Sequence, residues 1–311
     1  MSAERNQNEI GLLARLARWR VVVLVALLST VIVAYACGYA WQGQVLVHRR
    51  HVQDRVDGYA SAISDRINHF KVALEMARGL IVASHDVQRD EWQAFTTSEG
   101  FFNRVPGAYG FAYVQRVKPE GLDAFVQGVR SDGMPEFEVF DTDQYEPLAY
   151  EDYAVIKYVE PVERNKKAIG LNVASIPASS DTMRRSVDET GVAVSRSFRL
   201  HQTGESQAGI VLYLPVYPIG SDLSTVASRR QAVTGWVAVS IAMADFLAGD
   251  WASSWHDLDI VLCEETREGP ACELFVSPQI AGNPEAVLEA PVVARYTSEI
   301  AIGDWAWVLH G

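Results

Sequence analysis

The sequence predicts an α+β protein in which one very long N-terminal helix leads into two small antiparallel-sheet subdomains in tandem. Three observations carry this reading. Residues 21–41 (VVVLVALLSTVIVAYACGYAW) hold no charged side chain. From Val52 to Leu74 apolar residues recur three and four apart, and no proline precedes position 106. Beyond Asn103, short β-rich runs alternate with short helical segments, the mark of an antiparallel sheet with helices beside it.

The apolar run comes first. Its 21 residues, at 1.5 Å each, match a hydrocarbon core of roughly 30 Å. Ser29 and Thr30 can bond back to their own helix, and Tyr35, Tyr39 and Trp41 crowd one end, where amphipathic rings prefer the interface. The run exceeds the apolar stretch of a cleaved signal peptide and lacks small residues at a cleavage site. A retained membrane span is therefore expected at residues 21–41, behind a cytoplasmic tail at 1–20. Arg5, Arg15, Arg18 and Arg20 precede the span, and Arg49, Arg50 and Arg55 follow it, so the basic count favours an inside N-terminus only slightly.

The formal net charge is −12, from 27 basic and 39 acidic residues. That balance speaks against a nucleic-acid partner. An acidic globular part suits the far side of the membrane better than a lipid-surface role.

A stalk helix is expected over 42–100. The stripe Val52, Val56, Tyr59, Ile63, Ile67, Phe70 and Leu74 is close to a heptad. It fits packing on the helix's own domain, pairing with a second copy in a homodimer, or each at different points.

The globular part divides into subdomains at 101–240 and 241–311. Strands are expected at 109–117, 137–140, 155–159, 192–200, 208–217, 234–240, 259–262, 273–276, 292–297 and 305–310. Helices are expected at 119–131, 180–191 and 243–251, the second with a Ser or Asp cap and a glycine stop. The polar segment 221–230 reads as an exposed insertion.

Cys37 lies inside the apolar run. Cys263 and Cys272 flank EETREGPA between two strands, where a hairpin brings them within bridging distance, and an oxidising compartment makes a disulfide the expectation. His256 is the only nearby histidine, so no metal site is predicted.

Catalytic signatures are missing. There is no G-x-S-x-G elbow, H-E-x-x-H, Walker A or G-x-G-x-x-G. No catalytic residue and no cofactor is predicted, and the chain reads as a binder.

Four separated stretches then carry a resemblance. RVPGAYGFAYVQRV (104–117), YAVIKYVEPVERNKKAIGLNV (153–173), RRSVDETGVAVSRSFRL (184–200) and GIVLYLPVY (209–217) occur in the order of the CHASE domain. This is the extracytoplasmic sensor of many bacterial histidine kinases and diguanylate cyclases and of plant cytokinin receptors. The resemblance implies a long helix followed by two PAS-like subdomains, the membrane-distal one holding a small-molecule ligand. It also implies a cytoplasmic output module beyond the last strand, so that this chain is the sensory portion of a longer receptor.

The same resemblance suggests pocket residues. Asn172 is one matching place for the acid that binds adenine-type ligands in the plant receptors, and an amide there implies another ligand preference. Ser195 lies near a hydrogen-bonding threonine of the plant domains. Phe198 and Tyr213 supply apolar wall, Pro215 fixes a strand end, and Arg199 is the charged neighbour. Phe198 and Leu200 serve equally as ordinary core, and Asn165 and Gly170 read as turn residues. Two other functions compete: a membrane-anchored periplasmic enzyme, which needs a convergent nucleophile and base, and a scaffold whose pocket is filled by large side chains.

Overall fold

A computed structural model describes residues 2–84, 87–97, 107–146, 148–200, 208–247, 259–266, 269–277, 288, 296–302 and 305–310. The chain forms two compact units, residues 1–55 and 56–311. Helix α1 (Ser2–Ala83) contributes to both.

In the first unit α1 runs through the apolar segment. Thr30 donates its hydroxyl back to the Ala26 carbonyl at 2.9 Å, as serine and threonine do inside apolar helices. Leu24, Leu28, Ile32, Tyr35, Tyr39 and Trp41 are all exposed. The side chains of Val21, Val22, Val23 and Val25 lie outside the described residues. Among the described residues, no helix is long and apolar enough to cross a membrane.

In the second unit α1 is amphipathic and packs on its own domain. Val56, Ile63, Ile67, Phe70 and Leu74 are buried, and Phe70 meets Phe246 with ring centroids 6.0 Å apart. The heptad-like stripe is thus used within the chain from Val56 onward. The helix stops at Ala83 rather than continuing to 100. A separate α2 (Arg89–Thr97) follows, started by Glu91, whose carboxylate accepts from the Gln88 amide at 2.9 Å.

The first sheet contains β1 (Ala108–Val117), β2 (Tyr153–Glu160), β3 (Ala193–Val194), β4 (Phe198–Arg199), β5 (Ala208–Val216) and β6 (Gly235–Ala242). Its order is β2-β1-β6-β5-β3, with β4 also on β5, and every pairing is antiparallel. Strand β6 is buried along its whole length, because both faces of the sheet are covered. On one face Trp92 of α2 stacks on Phe111, with centroids 5.9 Å apart. On the other lies α5 (Pro177–Glu189), above Tyr213 and Trp236. Between these come α3 (Leu122–Ser131) and the single turn α4 (Val162–Asn165). Helices α6 (Val226–Ala232) and α7 (Met243–Leu247) follow.

The second sheet contains β7 (Val261–Thr266), β8 (Gly269–Val276), β9 (Thr297–Ile302) and β10 (Trp305–His310), in the order β8-β7-β10-β9. Cys263 is disulfide-bonded and Cys37 is free. The Cys272 side chain lies outside the described residues.

Several expectations change. Residues 137–140 form no strand; Phe140 makes one isolated parallel bridge to Leu171, while Phe137 meets Phe125 of α3 edge-on. The strand expected at 192–200 breaks in two. Ser195 explains the break: its hydroxyl accepts the Val211 amide at 2.9 Å, in place of a backbone carbonyl. Helix α5 begins three residues earlier than expected, with Pro177 in its first turn, and closes on Thr190 at φ 58°. Residues 221–230 are not a free loop. Thr225 and Ser228 form a reciprocal cap on α6, and Arg229 ties that helix to the Val187 and Asp188 carbonyls at 2.9 and 2.5 Å. Of the strand expected at 292–297, residues 292–295 lie outside the described residues and β9 takes in only Thr297; of the helix expected at 243–251, residues 248–251 lie outside them too.

Candidate functional site

Alternation along the strands builds the site. Gly110, Ala112, Val114 and Arg116 of β1 point to one face of the first sheet. Ala154 and Ile156 of β2, Val211 and Tyr213 of β5, and Trp236, Ala238 and Ser240 of β6 share it. The floor is made of small residues at one end and larger, polar ones at the other.

At the small end is a cavity of about 40 Å³, room for little more than water. Gly110, Ala112, Ala168 and Ala238 line it, with Phe198, Leu200 and Tyr213 closing over them. Tyr213 is 2% exposed. Burial pushes its phenol pKa up, against the opposing hydrogen bond with Ser179, which sits 3.1 Å away on α5. Trp236 donates from Nε1 to the Ser186 hydroxyl at 3.2 Å. These two bonds hold α5 to the sheet.

At the polar end the same face opens into a cleft of about 410 Å³, within the size range of small-molecule sites. Arg116, Tyr150, Asp152, Tyr153, Arg184 and Trp236 are among its walls. Arg116 is fixed by Asp152, which accepts from Nε at 2.6 Å, and by the Arg230 carbonyl, which accepts from Nη1 at 2.7 Å. Arg230 donates to both Asp188 oxygens, at 2.8 and 2.7 Å, and these bonds hold the Asp188 carboxyl below its ordinary pKa. Tyr150 donates to Asp141 at 2.8 Å; burial, then this bond, pushes its phenol pKa up. The cleft therefore offers fixed guanidinium and carboxylate groups between aromatic walls, a surface that orients a polar small molecule. Among the described residues no group of three or more His, Cys, Asp or Glu is placed to hold a metal ion.

Of the residues expected from sequence, Phe198 and Tyr213 meet at the cavity. Asn172 lies beside it, but its amide is taken up by two backbone N–H groups and one carboxylate. Its Oδ1 accepts from Ala154 and Ala174, and its Nδ2 donates to Asp141 at 2.8 Å. Ser195 is buried and spends its hydroxyl on Val211. Arg199 is exposed on β4. Pro215 pairs with Trp236 in the sheet and lines neither opening. Arg116, Tyr150, Asp152, Tyr153 and Trp236 went unread in the sequence. Two signals existed: small side chains giving way to an arginine at alternate positions of β1, and the Tyr-Glu-Asp-Tyr run before β2.

The family model of the CHASE domain matches residues 85–275. No curated protein matches the sequence. Among solved structures, an extracellular ligand-binding receptor from Desulfohalobium retbaense superposes with a TM-score of 0.49 at 13% identity, over 82% of this chain and 38% of that one. The periplasmic sensory domain of the Campylobacter jejuni chemoreceptor Tlp1 gives 0.47 at 12% identity, over 83% and 91%. The ligand-binding domain of the Pseudomonas aeruginosa amino-acid chemoreceptor PctC, solved with GABA, gives 0.44 at 11%, over 84% and 98%.

Proposed function

This chain belongs to the CHASE domain family, and from that premise we propose that the cleft on the first sheet receives the small molecule to which the receptor responds. The chain is an extracytoplasmic sensor of a receptor. The observation that supports the cleft is its composition: a few fixed charges and aromatic rings around a space of about 410 Å³, continuing along the same face toward a small apolar cavity. The two sheets read as PAS-like subdomains in tandem.

We place residues 21–41 across a bacterial inner membrane, with 1–20 cytoplasmic and the sheets periplasmic. The helical course of α1 and its exposed apolar side chains support this. Cys272 is the proposed partner of Cys263, since β7 and β8 pair with Glu264 opposite Ala271. A homodimer joined along α1 would use the faces that the domain leaves open. A ligand that binds two states with different affinity would shift α1 and so act on an output module, a kinase or cyclase, beyond this chain.

A thermal-shift screen of the purified chain tests the reading, using adenine derivatives, amino acids, peptides and organic acids. One class should raise the melting temperature by several degrees, saturably. Ala149→Trp places an indole in the cleft from an exposed position and should abolish that rise while leaving the unliganded chain as stable. A rise that survives Ala149→Trp puts the ligand elsewhere, and silence from every class favours the scaffold.

A further inference from the structure

One long stretch of α1 carries no acid. Between Glu9 and Asp54 there is no Asp or Glu, in a chain whose acidic residues outnumber its basic ones. The stretch contains the apolar run, and basic residues flank that run on both sides: Arg15, Arg18 and Arg20 before it, His48, Arg49, Arg50 and His51 after it. All of these positions lie on one uninterrupted helix.

The helical rise turns the positions into heights. Trp19 and Trp41, both exposed, stand about 33 Å apart along the axis, close to the roughly 30 Å of a hydrocarbon core. Positions 20 and 49 stand about 43 Å apart, which matches the roughly 40–45 Å of a bilayer measured through both headgroup layers. Position 49 therefore falls where lipid phosphates lie.

The arginines there are not spent on the protein. In the first sheet and its helices Arg116 pairs with Asp152, Arg184 with Asp181 and Arg230 with Asp188. Arg49 and Arg50 form no ion pair among the described residues, and the Arg49 Nε has no hydrogen-bond partner there. Arg50 and His51 are exposed. A guanidinium presents a fork of N–H donors that matches two phosphate oxygens.

We propose that Arg49 and Arg50, with His51 beside them, bind the headgroup of an anionic phospholipid in the outward-facing leaflet. The inference rests on the placement of residues 21–41 across the membrane. The phosphate accepts from the guanidinium groups, and the acyl chains run back past the exposed Val47 and Trp41. A lipid held there fixes the height of α1 in the bilayer.

Lipid titration of the full chain in detergent micelles, read by native mass spectrometry, tests this. An Arg15→Gln/Arg18→Gln/Arg20→Gln background removes the basic groups of the other flank. In it, phosphatidylglycerol should be retained at least about tenfold more tightly than phosphatidylcholine with the same acyl chains. Adding Arg49→Gln or Arg50→Gln should weaken that retention about fivefold and leave the melting temperature unchanged, since neither side chain has an ion pair to lose. Equal retention of the two lipids, or full retention after both arginines are replaced, overturns the site. Displacement by inorganic phosphate at equal concentration overturns the lipid as its occupant. Cys37, free and exposed on α1, separates these failures from that of the membrane placement: in sealed vesicles it should resist a charged maleimide. A labelled Cys37 overturns the placement and the lipid site together. A protected Cys37 leaves the placement standing even where the titration overturns the site.

Discussion

Asn172 is buried to 0% exposure, and its amide closes three gaps at once. The Ala154 amide on β2, the Ala174 amide in the following turn and the Asp141 carboxylate all bond to it. Asn172→Ala strands at least one buried N–H and should cost about 2–3 kcal/mol. The effect is read as a lower urea midpoint, and an unchanged midpoint would show that water replaces the amide freely. The sequence singled out this position, but not its task. In a sequence, a polar residue that will be buried looks the same whether it faces a ligand or the backbone. Phe198 and Tyr213 were legible because apolar residues near a strand end point into a core under either reading. Arg116 and Asp152 were not. Their pairing joins positions 36 residues apart, and no local pattern reports that.

At the scale of elements, alternation and turn chemistry made most strands legible. The centres of β1, β2, β5 and β6 fall where β-branched and aromatic residues concentrate. What escaped was the effect of side chains that compete with the backbone. Ser195 interrupts a strand whose composition is continuous, and Thr225 starts a helix in a segment that reads as loop. Gly170 shows how tightly these connections fit. It has φ +86°, and a Cβ there would stand 1.9 Å from the Glu138 carbonyl oxygen. Gly170→Ala therefore meets both backbone strain and a clash with main chain. A loss of about 3 kcal/mol is expected, and chemical denaturation measures it. A loss below 1 kcal/mol would mean that the 138–140 segment moves aside at little cost.

For the molecule as a whole, one buried carboxylate links the two sheets. Glu264 of β7 is 3% exposed and accepts from the Ser197 hydroxyl at 3.2 Å, between β3 and β4 of the first sheet. The guanidinium of Arg196 stands 3.8 Å from its other oxygen. Burial raises its pKa above the ordinary value, against the opposing Ser197 bonds and Arg196 charge. The sign follows from linkage. A folded-state pKa above the unfolded one favours the protonated fold, so this contribution is full below roughly pH 4.3 and disappears as pH rises through the folded value. Glu264→Gln should thus stabilise the chain at pH 7 to 8 relative to the parent and lose that advantage near pH 4. Melting temperatures of both chains across that range decide it; a gain independent of pH would show that the charge is not the cause. The parent alone is not enough, because the Glu160 carboxyl is raised by burial as well.

The floor of the first cavity is built from glycine and alanine, while the bulk that closes it comes from Phe198 and Leu200, at or beside the two-residue strand β4. Floor residues are committed on two sides: a Cβ on Gly110 would press within 2.7 Å of Asn165, and the strand's alternate residues hold α2. Of the two larger residues, Leu200 is buried in the core and Phe198 only partly so. Shortening one of them would enlarge the chamber and leave the packing of α1 and α2 as it is. A chamber with room for little more than water would then admit a larger group.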